Sequence, residues 1–170
     1  PLGYNIDIFD EQIKGGGFMR SQIPSFRLPE SVLDEEVNRI EDMGLFTHYE
    51  HYVDSLKNLV KKGYDAIFVG SGAPKARDLN VPGREEGDKN IHLGINWLSS
   101  VAFGHTTSIG KKVIVLGGGN TAMDCCRTAR RLGGEVVKVI VRSPFAEMKA
   151  SPWEKEDAIR EDIPIIDNHV

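Results

Sequence analysis

The chain has 170 residues, 40% hydrophobic and 27% charged, which is enough apolar material for a packed core and argues against an intrinsically disordered chain. Its formal net charge of -4 gives no electrostatic case for binding nucleic acid or an anionic membrane. No apolar run reaches transmembrane length and no signal peptide is visible, so the expected location is cytoplasmic.

Residues 5–9, NIDIF, alternate as a strand does, and Asp10 and Glu11 close it with acid ahead of the glycines at 15, 16 and 17. This reads as the second strand of a dinucleotide unit, with Asp10 placed to accept from ribose hydroxyls. The first strand of such a unit, with its glycine loop and helix, would lie upstream of Pro1, so an internal piece of a longer protein is expected. Residues 21–29, SQIPSFRLP, hold two prolines and are expected as an ordered loop. A helix is expected from Ser31, with Asp34 as capping partner, Leu33, Val37 and Ile40 facing inward, and Gly44 at its end. A second, at 55–62, turns Leu56, Leu59 and Val60 inward. Residues 65–69, DAIFV, are expected as a strand running into Gly70 and Gly72, which permit close approach of a ligand or another backbone. Residues 74–87 read as loop and 91–101 as a short helix. The polar stretch 104–112 is expected to link two domains, 1–103 and 113–170.

The second half carries the clearest signal. Val113, Ile114, Val115 and Leu116 read as a strand buried on both faces, followed by Gly117, Gly119 and Ala122 in G-x-G-x-x-A spacing. The first glycine permits the tight turn, the second lets a pyrophosphate approach the backbone, and the third small residue lets the helix pack on the strand. Ala122, Cys125, Cys126, Ala129 and Leu132 have helical spacing, with Arg127, Arg130 and Arg131 on the polar face. Gly133 and Gly134 end the helix, and residues 136–141 form the next strand. An NAD site calls for an acid about 20 residues beyond the glycines. Here the strand runs into Arg142 and Ser143, and an arginine pairs with a 2′-phosphate, which favours NADP over NAD. A loop at 143–150, a helix opened by Pro152 and a strand beginning at 163 complete the chain.

The two cysteines, Cys125 and Cys126, are adjacent and form no Cys-x-x-Cys pair, so they read as small buried helix residues. They cannot by themselves hold a four-thiolate iron–sulfur cluster. His48 and His51 lack a second pair of ligands nearby, and no metal site is expected.

The segments IFD, GGGF, IPSFRLP, YDAIFVGSGA, GKKVIVLGGGNTAMDCCRTARRLG and VRSPFAEMKA, spread over essentially the whole chain, resemble the small-subunit family of NADPH-dependent glutamate synthase. The flavin region of dihydropyrimidine dehydrogenase is similar. The resemblance implies an α/β fold of nested FAD- and NAD(P)-binding Rossmann-like domains, three-layer with parallel sheets, both incomplete in this chain. It implies hydride transfer from NAD(P)H to FAD and passage of electrons to an electron-accepting subunit or domain with iron–sulfur clusters, which lie outside this chain. By position, Asp10 matches the acid on the FAD ribose. Gly16, Gly17 and Phe18 match the glycine segment beside the flavin nucleotide, Arg27 an FAD contact, and Val53 a backbone contact near the adenine. Gly117, Gly118, Gly119, Asn120 and Thr121 match the pyrophosphate loop, Arg142 the 2′-phosphate arginine, and Lys149 a second basic contact. Ser143 replaces the second of two adjacent arginines found in many members, and Lys149 the proline of the usual M-P-A. The chemistry belongs to the cofactors, so no catalytic residue is named, and the fragment alone is expected to be inactive. Two other readings are a disulfide oxidoreductase of the thioredoxin-reductase type and a non-enzymatic NAD(P)H-binding regulatory module. The first is disfavoured by the missing Cys-x-x-Cys, the second by Asp10, Gly16 and Arg27.

Overall fold

The computed structural model describes residues 2–73, 75–76, 78–79 and 81–169. Of the expected 74–87 loop, Pro74, Arg77 and Asn80 lie outside the described residues, as does Val170 at the end of the last expected strand. The chain forms two compact units, Pro1–Arg20 with Ser25–Pro74, and Ser21–Pro24 with Lys75–Val170. The stretch at 104–112 therefore lies inside the second unit, where Ile109 packs against the core.

In the first unit, strand β1 (Asp7–Phe9) pairs in parallel with β2 (Phe46–His48), Asp7 opposite Phe46. The short helix α1 (Gly17–Ser21) and the longer α2 (Glu30–Glu41) lie between them in sequence. Strand β2 escapes sequence reading because it spans three residues and carries His48, which gives it no clear alternation. Helix α2 starts at Glu30 behind Pro29, without a side-chain cap. Asp34 does not cap it: its carboxylate pairs with the buried Arg20 at 2.6 Å, and the Arg20 guanidinium holds it below the usual carboxylate range. In α3 (Leu56–Val60) the Ser55 side chain caps the start by accepting from the Asn58 N–H. A helix this short presents one residue inward: Leu59 is buried, whereas Leu56 and Val60 are exposed. The expected strand at 65–69 has no ladder partner among the described residues, and Phe68 is 95% exposed. Without a neighbour to satisfy its backbone, an apolar run does not become a strand.

The second unit holds helix α4 (Gly94–Ala102), then β3 (Lys112–Leu116), α5 (Asn120–Arg131), β4 (Val136–Ile140), α6 (Pro152–Arg160) and β5 (Ile165–Ile166). The sheet is parallel in the order β3-β4-β5, with Leu116 opposite Ile140 and Ile140 opposite Ile166. Parallel neighbours need crossovers, and α5 and α6 supply them. Helix α5 ends in a Schellman turn: the Gly134 N–H donates to the Ala129 carbonyl at 2.9 Å, and Gly133 takes φ +101°. Met123, Cys126, Ala129, Val137, Val139, Ala158 and Ile163 form the centre of the core. Burying one such side chain as large as Met123 contributes roughly 1.5–3 kcal/mol. Strand β3 departs from expectation. Val113 and Val115 are half-buried, but Ile114 and Leu116 are 63% and 57% exposed, because α5 covers one sheet face and nothing among the described residues covers the other. Arg127 departs too. It is buried, not on a solvated face, and meets Glu154, Asp157 and Glu161 at 3.4, 3.2 and 3.0 Å.

Candidate functional site

Strand β3 delivers the chain into a turn whose three glycines have separate tasks. The Gly117 N–H donates to the Ile140 carbonyl at 3.0 Å, and φ of +134° makes glycine the residue of choice there. Gly118 is the tightest packing point. A Cβ on it would lie 2.7 Å from Val141 Cγ1 and 3.3 Å from Met148 Cγ, and its carbonyl accepts from the Ala150 N–H at 2.9 Å. Gly119, the N-cap of α5, has open space where a Cβ would stand, as close approach of a ligand requires. A Cβ on Gly117 would lie 3.8 Å from that of Ala122, so the small residue does allow helix and strand to meet. Within the protein, the N–H groups of Gly119, Asn120 and Thr121 find no acceptor among the described residues. They occupy the positive end of the α5 macrodipole, the usual seat of an anion.

Beyond β4 the chain runs over this turn. Arg142 and Lys149 are both exposed, and neither has a partner among the described residues. The segment between them is held at both ends. The Phe145 N–H donates to Asp167 Oδ2 at 2.8 Å, and Lys155 Nζ donates to the Phe145 carbonyl at 3.2 Å while lying over its ring. At the other end, the Ser151 N–H donates to Asn120 Oδ1 at 2.8 Å, and Met148 and Ala150 are buried. Sequence reading missed Asn120 as a tether, together with Met148, Lys155 and Asp167. Pairs separated by 22 and 31 residues leave no local pattern to find.

In the first unit, Asp10 stands just past β1, and its Oδ1 accepts from the Gln12 N–H at 2.9 Å. The His51 N–H donates to the Asp10 carbonyl at 2.9 Å, which brings the half-buried Val53 segment toward the same strand end. Gly16, at φ +118°, and Gly17, at φ +49°, form the glycine segment. Gly72, at φ +68°, meets Phe18: a Cβ there would lie 3.9 Å from Phe18 Cδ2. Arg27 lies exposed in the turn before α2. The residues missed here are Arg20 and Tyr49. Arg20 donates from Nε to the Gly15 carbonyl at 2.6 Å and pairs with Glu30 and Asp34, so it fastens the glycine segment to α2. A Cβ on Gly15 would fall 2.6 Å from Tyr49 Oη. Burial, reinforced by its hydrogen bond to Glu41, pushes the Tyr49 phenol up to about 12.

His48 Nε2 donates to Asp7 Oδ1 at 2.7 Å, and the ring stacks on Phe9 at 4.7 Å. No group of three or more metal-ligating side chains occurs among the described residues. Burial pushes both cysteine thiols up to about 12, so neither is a thiolate at neutral pH. No helix of the described residues is long and apolar enough to cross a membrane.

The chain is 35% identical over 167 residues to the NADPH-Fe(3+) oxidoreductase subunit beta of Geobacter sulfurreducens and 34% identical over 178 residues to the glutamate synthase [NADPH] small chain of Azospirillum brasilense. It is also 34% identical over 167 residues to an NAD-dependent dihydropyrimidine dehydrogenase subunit of Escherichia coli. These alignments cover 95%, 96% and 97% of the chain, but it spans only 25%, 36% and 40% of the relatives' own lengths. In fold it is similar to the FprA protein of Mycobacterium tuberculosis in complex with NADPH, with a TM-score of 0.73 at 17% identity over 93% of this chain and 41% of that one. The pyridine nucleotide-disulphide oxidoreductase family model matches residues 28–169, and the chain belongs to that family.

Proposed function

We propose that the chain serves an NAD(P)H-dependent flavoprotein oxidoreductase that takes hydride from NAD(P)H onto FAD and passes electrons to an iron–sulfur partner. Bound nicotinamide and flavin supply the redox chemistry, and the protein supplies binding and orientation. On this reading residues 1–103 serve the flavin side and 113–170 the nucleotide side, with 104–112 between them in sequence. One observation carries it: among the described residues, the first N–H groups of α5 have no acceptor and Gly119 stands open, while the strand aligned with β3 runs on into Arg142, which has no partner there. That set of donors suits a pyrophosphate and a 2′-phosphate held together.

The Gly119, Asn120 and Thr121 N–H groups hold the pyrophosphate, with Gly117 and Gly118 shaping the turn. Arg142, aided by Lys149, receives the 2′-phosphate. On the flavin side Asp10 accepts from the ribose, and Gly16, Gly17, Phe18 and Gly72 line the nucleotide, with Arg27 and Val53 as further contacts. Both close relatives named for NADPH are subunits, which supports a partner that receives the electrons. The buried, protonated Cys125 and Cys126 do not support a disulfide reaction.

The test is anaerobic mixing of the full-length protein with one equivalent of NADPH or NADH while the flavin absorbance band is followed. Rapid bleaching, faster with NADPH, is the expected result. A protein with no flavin band, or one that neither nucleotide bleaches, would contradict the reading and favour a regulatory nucleotide-binding module.

A further inference from the structure

The two cations assigned to the 2′-phosphate have no partners among the described residues, so something else must fix where they stand. At the Phe145 end the segment is tied to β5's end and to α6, through Asp167 and Lys155. At the other end, next to Lys149, two hydrogen bonds tie it to the glycine turn. One is made by backbone alone, from the Ala150 N–H to the Gly118 carbonyl, at 2.9 Å. The second uses a side chain: Asn120 Oδ1 accepts from the Ser151 N–H at 2.8 Å, and Asn120 Nδ2 reaches Ser151 Oγ at 3.4 Å. Asn120 is also the first residue of α5, whose own N–H faces outward for a phosphate. One residue thus presents its backbone to the pyrophosphate site and its side chain to the segment that carries Arg142 and Lys149.

We infer that the Asn120 side chain is a positioning residue for nucleotide discrimination, setting the register between the pyrophosphate turn and the cations that receive a 2′-phosphate. This rests on the nucleotide reading above. The side chain acts through Ser151, so its loss blunts recognition of the 2′-phosphate more than recognition of the diphosphate. Lys149, the nearer cation, is displaced most.

Three substitutions in the full-length protein separate this role from a direct contact. Asn120→Ala removes the acceptor. Ser151→Pro removes the donor and leaves Asn120 in place; Ser151 already has φ of -57°, which proline adopts. Ser151→Ala keeps the N–H and loses only the 3.4 Å contact. The probes are adenosine 2′,5′-bisphosphate and NADPH, each set against its counterpart without the 2′-phosphate, 5′-AMP and NADH, with affinities from calorimetry. The expected result is a fall of about fivefold to tenfold in the preference for the 2′-phosphorylated member of each pair, for both Asn120→Ala and Ser151→Pro. Ser151→Ala keeps the wild-type ratio, and an unchanged circular dichroism spectrum and thermal midpoint for each variant show that the site remains folded. If Asn120→Ala weakens all four ligands equally while Ser151→Pro weakens none, the side chain contacts ligand directly and the inference is overturned. If both variants retain the wild-type preference, the tether is without function and the inference fails while the nucleotide reading stands. If the wild type binds none of the four, the nucleotide reading itself fails.

Discussion

A methyl group added at Gly118 and one added at Gly119 meet opposite surroundings. At Gly118 it would intrude on Val141 at 2.7 Å and on the buried Met148, whereas at Gly119 it would enter open space. Overpacking a filled site costs about 1–3 kcal/mol, while a backbone of φ -99° accepts any residue at Gly119. Gly118→Ala is therefore expected to lower the urea midpoint clearly. Gly119→Ala should leave stability within about 0.5 kcal/mol yet weaken binding of 5′-ADP, because its methyl would stand where the proposed diphosphate approaches. Equal urea midpoints for the two variants would contradict this division of labour. The fingerprint spacing in the sequence pointed to Gly117 as the turn position, where φ is +134°, and to Gly119, where a Cβ would stand in open space. The packing burden on Gly118 was not legible, since it depends on Val141 and Met148, which follow β4 in sequence.

At the scale of elements, the joint between α5 and α6 rests on Arg127. Its guanidinium is buried with Glu154, whose side chain is 3% exposed, and it also reaches Asp157 and Glu161. Removing one partner of a buried ion pair leaves an uncompensated charge, at a cost of about 3–5 kcal/mol. Arg127→Met should lose stability in that range, and adding Glu154→Leu should recover much of it. If the single variant costs less than about 1 kcal/mol in chemical denaturation, the joint is not ionic in character. The same network sets an acid limit. Arg131 and then Arg127 hold the Glu161 carboxyl below its ordinary value of 4.5. A carboxyl depressed in the folded state contributes stability that is present above its unfolded value and lost as pH falls through the folded one. Stability should therefore decline below about pH 4.5, and less steeply in Glu161→Gln. Periodicity placed α5 and its glycine stop well, and Pro152 marked the start of α6, because local pattern governs them. It turned Arg127 outward, since an arginine on a helix reads as solvated until the carboxylates of α6 and of its C-cap Glu161 are seen around it.

For the whole molecule, the parallel pair β3-β4 with α5 as its crossover was legible from the strand, glycine turn, helix and strand sequence between 113 and 141, whereas the place of β5 beside β4 was not. Strand β2 and the failure of 65–69 to form a ladder were not legible, because pairing depends on which neighbours a strand finds and not on its own composition. The open face of the second sheet follows from the same dependence. Ile114, Leu116 and Val136 are 63%, 57% and 45% exposed, and β3 pairs on one edge alone among the described residues. Contiguous apolar surface of this kind binds hydrophobic dyes and invites association. The 170-residue chain, purified alone, is expected to enhance 1-anilinonaphthalene-8-sulfonate fluorescence while folded, and Ile114→Lys with Leu116→Lys should abolish most of that signal. No enhancement would mean that the face is covered in solution.

We propose that α5's first turn and Arg142 together form the seat of a 2′-phosphorylated dinucleotide. The most direct test is single-turnover anaerobic flavin reduction in the full-length protein, comparing wild type with Arg142→Gln across NADPH and NADH concentrations. A hydrogen-bonded charge pair of about 1.5–3 kcal/mol predicts that Arg142→Gln raises the NADPH concentration for half-maximal rate by about tenfold to a hundredfold and leaves that for NADH unchanged. An equal shift for both nucleotides, or none for either, would contradict the account.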